Sequence, residues 1–311
     1  MSLALVFPGQ GAQAVGMGLE FYEHNNKAKE IFDKADSILQ GKLANSLKQV
    51  MFKGPEDELK KTDYTQPAIF TMSCAIYEAM REKLQGKAVF TAGHSLGEYS
   101  ALYASGAFDF ETGIKLVSRR GSLMQEASNN NKGSMAAVLG LEKEQILLLC
   151  EKSRPAGYIA PANYNSPGQI VVSGDASAID AAEAIAKEMG AKRYIKLAVA
   201  GAFHSEHMRS ACDAFAKEVG SYDIKDSKIP VVTNFYAREV SKKDGILDAL
   251  TKQITGPVRW IEDVEYMKSK GVDTFIEIGP GSVLSGLIKK IDKNLKIYNI
   301  EKPSDEAKLT I

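Results

Sequence analysis

Apolar positions along the chain follow two rhythms: short unbroken runs, and longer stretches in which they recur every third or fourth residue. Leu3 to Phe7 is a run closed by Pro8-Gly9, which predicts a strand covered on both faces and hence a parallel sheet. From Gln66 to Leu84 the spacing predicts a helix, with Pro67 in its first turn and Gly86 just past its end. Ala88 to Ala92 is a second short run. It is followed by the small-residue bend Gly93-His94-Ser95-Leu96-Gly97 and then by a helical pattern over Glu98 to Ala107, so the local order is strand, sharp turn, helix.

Between Ser134 and Val199 the rhythm changes to six elements: strand Met135–Gly140, helix Leu141–Ser153, strand Tyr158–Asn165, strand Gln169–Gly174, helix Ser177–Gly190 and strand Ala191–Val199. This order is the split β-α-β-β-α-β motif, and Ser166-Pro167-Gly168 supplies turn chemistry between its middle strands. Strands at Ile229–Tyr236, Asp273–Gly279 and Lys296–Glu301, with a helical stretch at Val258–Ser269, then resume the α/β pattern. The expected organisation is a large α/β body with a parallel sheet, residues 1–130 and 200–311, interrupted by a ferredoxin-like small subdomain at 131–199. Asn129 to Gly133 is the expected hinge into the insert.

Composition narrows the function classes. With 44% apolar and 25% charged residues, 311 residues can bury a substantial core. Lys plus Arg and Asp plus Glu number 39 each, so there is no basic field to attract nucleic acid or anionic lipid, and any anionic ligand must be held by local charge. Three cysteines without CxxC or Cys/His spacing argue against a disulfide framework or a zinc site and for a reducing compartment. The first apolar run is too short for a signal-peptide core, and nowhere do apolar residues run long enough to span a membrane. A cytoplasmic protein is expected.

The bend at 93–97 matches G-x-S-x-G, the nucleophile elbow, which makes the large body α/β-hydrolase-like. Its glycines allow a tight turn that exposes Ser95 Oγ above a helix N-terminus, and the Leu96 N–H points at a reacting oxyanion; the alternative is Ser95 as a helix N-cap. A serine hydroxyl needs a base, and four histidines are present. His24 lies in a polar, exposed helical stretch and the His94 side chain leaves the bend in a different direction, which narrows the choice to His204 and His207. Gly201 to Ser205 sits where a loop reaches the sheet's carboxyl edge, which favours His204. No Asp or Glu stands out as a third member, so a backbone carbonyl or an amide is expected to orient the histidine. Pro8-Gly9-Gln10-Gly11 offers amides for a second oxyanion donor. Neither that loop nor Gly279-Pro280-Gly281 completes G-x-G-x-x-G, so nucleotide binding is poorly supported.

Seven segments in order, FPGQGAQ, AGHSLGEYSAL, RRGSLMQEA, NYNSPGQIVVSG, AFHS, PVRW and EIGPGSVLSGL, resemble the malonyl-CoA:acyl carrier protein transacylase family and the acyltransferase domains of fatty acid and polyketide synthases. The resemblance spans nearly the whole chain. It implies Ser95 as nucleophile, His204 as general base held by a backbone carbonyl, and the amides of Gln10 and Leu96 as the oxyanion hole. It implies that Arg120, not Arg119, grips the free carboxylate of malonyl, and it puts Gln253, Asn163, His94 and Phe203 on the substrate side, with Phe203 leaving little room for an α-methyl branch. It implies malonyl-CoA as substrate rather than cofactor, no metal, an acidic acyl carrier protein as partner, and a monomer supplying fatty acid synthesis. A free-standing polyketide acyltransferase and a serine thioesterase or hydrolase are the alternatives, and a carrier-binding scaffold without chemistry is a third.

Overall fold

The computed structural model describes residues 2–310. Ten strands are present among them: β1 (Leu3–Phe7), β2 (Ala88–Gly93), β3 (Gly133–Leu139), β4 (Ile159–Ser166), β5 (Gln169–Asp175), β6 (Arg193–Lys196), β7 (Val231–Thr233), β8 (Arg238–Val240), β9 (Thr274–Ile278) and β10 (Lys296–Ile300). Six of them form one sheet in the order β10-β9-β1-β2-β7-β8, parallel except for the edge strand β8. The other four form an antiparallel sheet in the order β4-β5-β3-β6, the ferredoxin-like arrangement.

The helices are α1 (Leu19–His24), α2 (Asn26–Leu39), α3 (Leu47–Lys53), α4 (Glu56–Leu59), α5 (Thr62–Leu84), α6 (Gly97–Ala104), α7 (Phe110–Asn130), α8 (Lys143–Ser153), α9 (Ala176–Glu188), α10 (Arg209–Glu218), α11 (Lys243–Gln253), α12 (Trp260–Ser269) and α13 (Val283–Ile291). β1 is buried along its whole length because helices cover both faces of the central sheet. Leu3, Leu5 and Phe7 pack with α5, α6 and α7, while Ala4 and Val6 pack with α12 and α13. The small sheet has its own core, in which Val138, Ile170 and Val172 meet Ile146, Leu149 and Ile179 of α8 and α9. No helix among the described residues is long and apolar enough to cross a membrane.

Several elements differ from expectation. Helix α5 starts at Thr62, four residues before Gln66, so Pro67 lies in its second turn. That early turn is held by tertiary bonds, Thr62 N–H to Gln125 Oε1 and Thr65 Oγ1 to the Leu59 carbonyl (2.5 Å). Strand β6 ends at Lys196, three residues short: Leu197 N–H still reaches the Met135 carbonyl of β3 at 2.9 Å, and beyond it Val199 N–H turns back to the Leu197 carbonyl. The edge strand β8 was not expected.

A loop residue ties the small sheet to the large body. Val258, just before α12, bridges Asn163 of β4, with Val258 N–H donating to the Ala162 carbonyl and Tyr164 N–H to the Val258 carbonyl, each at 2.8 Å. With His94 Nε2 2.8 Å from Asn165 Oδ1, this sets β4 beside the carboxyl end of β2, where open α/β sheets place their ligands.

Candidate active site

The chain between β2 and α6 turns so sharply that side chains have no room at 93 and 97. A Cβ on Gly93 would fall 1.9 Å from the Gly97 carbonyl carbon, and one on Gly97 would fall 2.0 Å from the Phe7 carbonyl oxygen of β1. At the apex Ser95 has φ 51°, in the left-handed region that costs a non-glycine residue about 1–3 kcal/mol. Bonds on both sides hold it there: its N–H donates to Asn234 Oδ1 (2.7 Å), and Gln253 Nε2 donates to its carbonyl (3.0 Å). Ser95 Oγ lies 2.8 Å from His204 Nε2.

His204 is also left-handed, at φ 55°, and is 4% exposed. Its Nδ1 faces two backbone carbonyls, Gln253 O at 2.9 Å and Gly256 O at 3.1 Å. Two acceptors there require the proton on Nδ1 and leave the Nε2 lone pair aimed at Ser95 Oγ, the tautomer a general base needs. Burial, aided by the nearby Arg120 charge, pushes the His204 pKa down to about 3, so the free site holds a neutral imidazole. His207 points elsewhere: its Nε2 is 2.9 Å from Asp175 Oδ1 at the end of β5. His24 is exposed at the end of α1.

Arg120, on the inward face of α7, is 1% exposed and lies over the Tyr99 ring at 5.5 Å. Its Nη1 donates to Gln66 Oε1 (2.8 Å) and its Nη2 to Gln253 Oε1 (3.0 Å) and Ser95 Oγ (3.1 Å). All three acceptors are neutral. Among the described residues no carboxylate pairs with this guanidinium, whereas Arg119 next to it takes the Glu218 carboxylate at the surface. Burial lowers the Arg120 pKa, which expresses the cost of holding an uncompensated cation away from water.

A cavity of about 100 Å³ joins these groups, lined by Ser95, His204, Arg120, Gln10, Leu96, His94, Asn163 and Phe203, with Met124, Met135 and Val199 on its apolar side. The backbone N–H groups of Gln10 and Leu96 have no acceptor among the described residues, which leaves both free for a ligand oxygen. Asn163 is 7% exposed on β4, and His94 Nε2 sits 2.8 Å from Asn165 Oδ1 with its ring tilted against Trp260. Burial lowers the His94 pKa. Gln253 is not among the residues lining the cavity; it lies beneath, where its carbonyl holds His204 and its side-chain amide joins Arg120 to Ser95. A larger groove of about 750 Å³, past Glu78, Arg81 and Tyr103, contains no serine and histidine in contact.

Sequence reasoning missed Gln66, Asn234 and Gly256. Gln66 interrupts an otherwise apolar stripe of α5, and Asn234 follows the carboxyl end of a parallel strand, where sites gather; those were the available signals.

A strained serine between a parallel strand and a helix, 2.8 Å from a carbonyl-held histidine, gives this α/β protein a serine–histidine pair with the geometry of a nucleophile elbow. Residues 4–302 match the family described as acyl transferase domain. The chain is 44% identical over 302 residues to malonyl CoA-acyl carrier protein transacylase of Bacillus subtilis, covering 97% of this chain and 94% of that protein. Its structure is similar to that of malonyl CoA-acyl carrier protein transacylase from Clostridium perfringens, with 43% identity, TM-score 0.92, and coverage of 99% of this chain and 96% of that one. It is also similar to a malonyl-transacylase solved in complex with a type II polyketide synthase acyl carrier protein, with 37% identity, TM-score 0.93, and coverage of 98% and 97%. The chain belongs to the acyl transferase domain family.

Proposed function

We propose that this protein transfers a malonyl group from malonyl-CoA to the phosphopantetheine thiol of an acyl carrier protein, supplying extender units for fatty acid synthesis. One observation carries the choice of acyl group. Arg120 is a buried fork of donors with only neutral acceptors, beside the serine, and a carboxylate on the acyl chain would give it a bidentate, charge-assisted partner.

The reaction divides at a covalent ester. Ser95 Oγ gives its proton to His204 Nε2 and bonds to the thioester carbon, and the oxyanion is received by the Gln10 and Leu96 amides. Each such donor contributes about 2.7–4 kcal/mol to the barrier reduction. The C–S bond breaks and His204 returns the proton to the coenzyme A sulfur. In the second half the carrier thiol gives its proton to His204, its sulfur attacks the ester carbon, and Ser95 Oγ leaves and is reprotonated. Only acyl groups and protons move, so malonyl-CoA serves as substrate and no separate cofactor takes part.

Residues 131–199 act as an inserted subdomain that brings Asn163 and Asn165 against the elbow, and Phe203 narrows the space beside the acyl α-carbon. We place the protein in the cytoplasm as a monomer, with neither membrane nor nucleic acid as a partner. The test is to supply malonyl-CoA with and without a phosphopantetheinylated carrier protein and follow malonyl-carrier and free malonate. Malonyl-carrier as the main product supports transfer; rapid malonate release without carrier would assign a thioesterase. A polyketide carrier is the second reading, supported by the likeness to the transacylase solved with such a carrier. Competition between the two kinds of carrier decides between them.

A further inference from the structure

We propose that Asn234 is a positioning residue that locks the nucleophile-bearing bend, its side-chain amide holding Ser95 in the left-handed conformation from which Oγ meets His204. Asn234 follows β7 and is fully buried. Its Oδ1 accepts the Ser95 N–H at 2.7 Å, and its Nδ2 donates to the Gly93 carbonyl at 2.8 Å. One planar amide therefore clamps the backbone on both sides of His94, as a neighbouring strand would, at the point where the β2 ladder has ended and α6 has not begun. Regular structure gives neither group a partner there.

The clamp is itself fixed from two further elements. Nδ2 also donates to Asp263 Oδ2 of α12 at 2.8 Å, and the Asn234 N–H donates to Glu98 Oε2 of α6 at 2.8 Å. Gln253 Nε2 reaches Asn234 Oδ1 at 3.4 Å and the Ser95 carbonyl at 3.0 Å, while the Gln253 carbonyl holds His204. Asn234 and Gln253 thus form a pair of amides under the bend, one fixing the nucleophile and the other tying nucleophile to base. Because the Ser95 N–H is spent on Asn234, the oxyanion has to be met by other amides, as Gln10 and Leu96 provide.

This inference rests on Ser95 as the nucleophile, so Ser95→Ala is assayed alongside: if it still transfers malonyl, that reading fails, whatever Asn234 does. Acylation by malonyl-CoA is followed in rapid-quench experiments for Asn234→Ala and Asn234→Asp, with folding checked by circular dichroism and thermal melting. In folded Asn234→Ala the maximal acylation rate falls about 10- to 100-fold, the effect of a misplaced reacting group, while half-saturation by malonyl-CoA stays within about threefold because Arg120 is untouched. Asn234→Asp keeps the acceptor for Ser95 but can donate to Gly93 only when protonated, with the carboxyls of Asp263 and Glu98 facing it. Its rate relative to wild type therefore falls as pH rises; a space-filling role would give a constant ratio. A folded Asn234→Ala with a maximal rate within about threefold of wild type, or a loss confined to half-saturation, overturns the proposal. If Asn234→Ala does not fold, Asn234→Asp decides alone, and a ratio that is flat with pH rejects the proposal.

Discussion

Replacing Arg120 with alanine separates the malonyl carboxylate from every other part of the substrate. In the free protein the guanidinium spends its three bonds on Gln66, Gln253 and Ser95 Oγ, all neutral, and a bound carboxylate exchanges some of these for charged ones. Removing one partner of a buried, hydrogen-bonded ion pair costs about 3–5 kcal/mol. At about 1.36 kcal/mol per tenfold, kcat/KM for malonyl-CoA should fall by about 10² to 10⁴. Acetyl-CoA carries no carboxylate, so its rate should lose only what Arg120 does for Ser95 Oγ and Gln253, a smaller factor, and the preference for malonyl should fall. Time courses of Ser95 acylation, quenched and read by intact mass with each thioester, measure both rates on one preparation. Arg120→Lys keeps the charge but loses the fork, and should fall between wild type and alanine. Equal losses for both thioesters would mean that Arg120 serves the site's architecture; a malonyl loss under about tenfold would mean that it does not meet the carboxylate at all.

Because burial and the Arg120 charge push His204 down to about 3, the basic-form limb of kcat/KM should lie well below the ordinary histidine range, and the limb of kcat should lie higher, since a bound carboxylate offsets Arg120; a kcat/KM limb at about 6.5 or above would contradict the geometry. The same depression makes the unfolded state the better proton binder between about 3 and 6.5, so His204 contributes stability above about pH 6.5 that is lost as pH falls toward 3; urea titrations of wild type and His204→Gln at about pH 7 and 5 should show the smaller loss in the variant. Burial raises Glu98 to about 7, so its contribution is present below about pH 4.3 and is lost as pH rises through 7; Glu98→Gln should flatten that decline in the same titrations. Gly97→Ala would drive a Cβ to 2.0 Å from the Phe7 carbonyl of the central strand, and should lower stability by about 1–3 kcal/mol and abolish acylation; a melting temperature and a rate like those of wild type would remove the steric reason for the glycine.

The central strands were legible because burial on both faces leaves an unbroken apolar run with turn residues at its end: Leu3–Phe7 appears with both boundaries as read. The four extra residues of α5 were not, since Thr62 to Thr65 carry no apolar period and are held by Gln125 and Leu59, one of them remote in sequence. In the site, Ser95 announces itself through the glycines that only a tight bend needs. Its distance to His204, 109 positions away, comes from the crossing of elements that local periodicity does not encode. Gln66, Asn234 and Gly256 escaped for another reason. They contribute an amide or a backbone carbonyl that nearly any residue of their type carries, so their importance lies wholly in where the chain puts them.

The most direct measurement is the intact mass of wild type, Ser95→Ala and His204→Ala after brief mixing with malonyl-CoA, followed by addition of phosphopantetheinylated carrier protein. Wild type should gain one malonyl group, localised to Ser95 and discharged when the carrier is added, with no gain on Ser95→Ala and a greatly slowed one on His204→Ala. A malonyl group on Ser95→Ala, or transfer to the carrier at the wild-type rate without Ser95, would contradict that expectation.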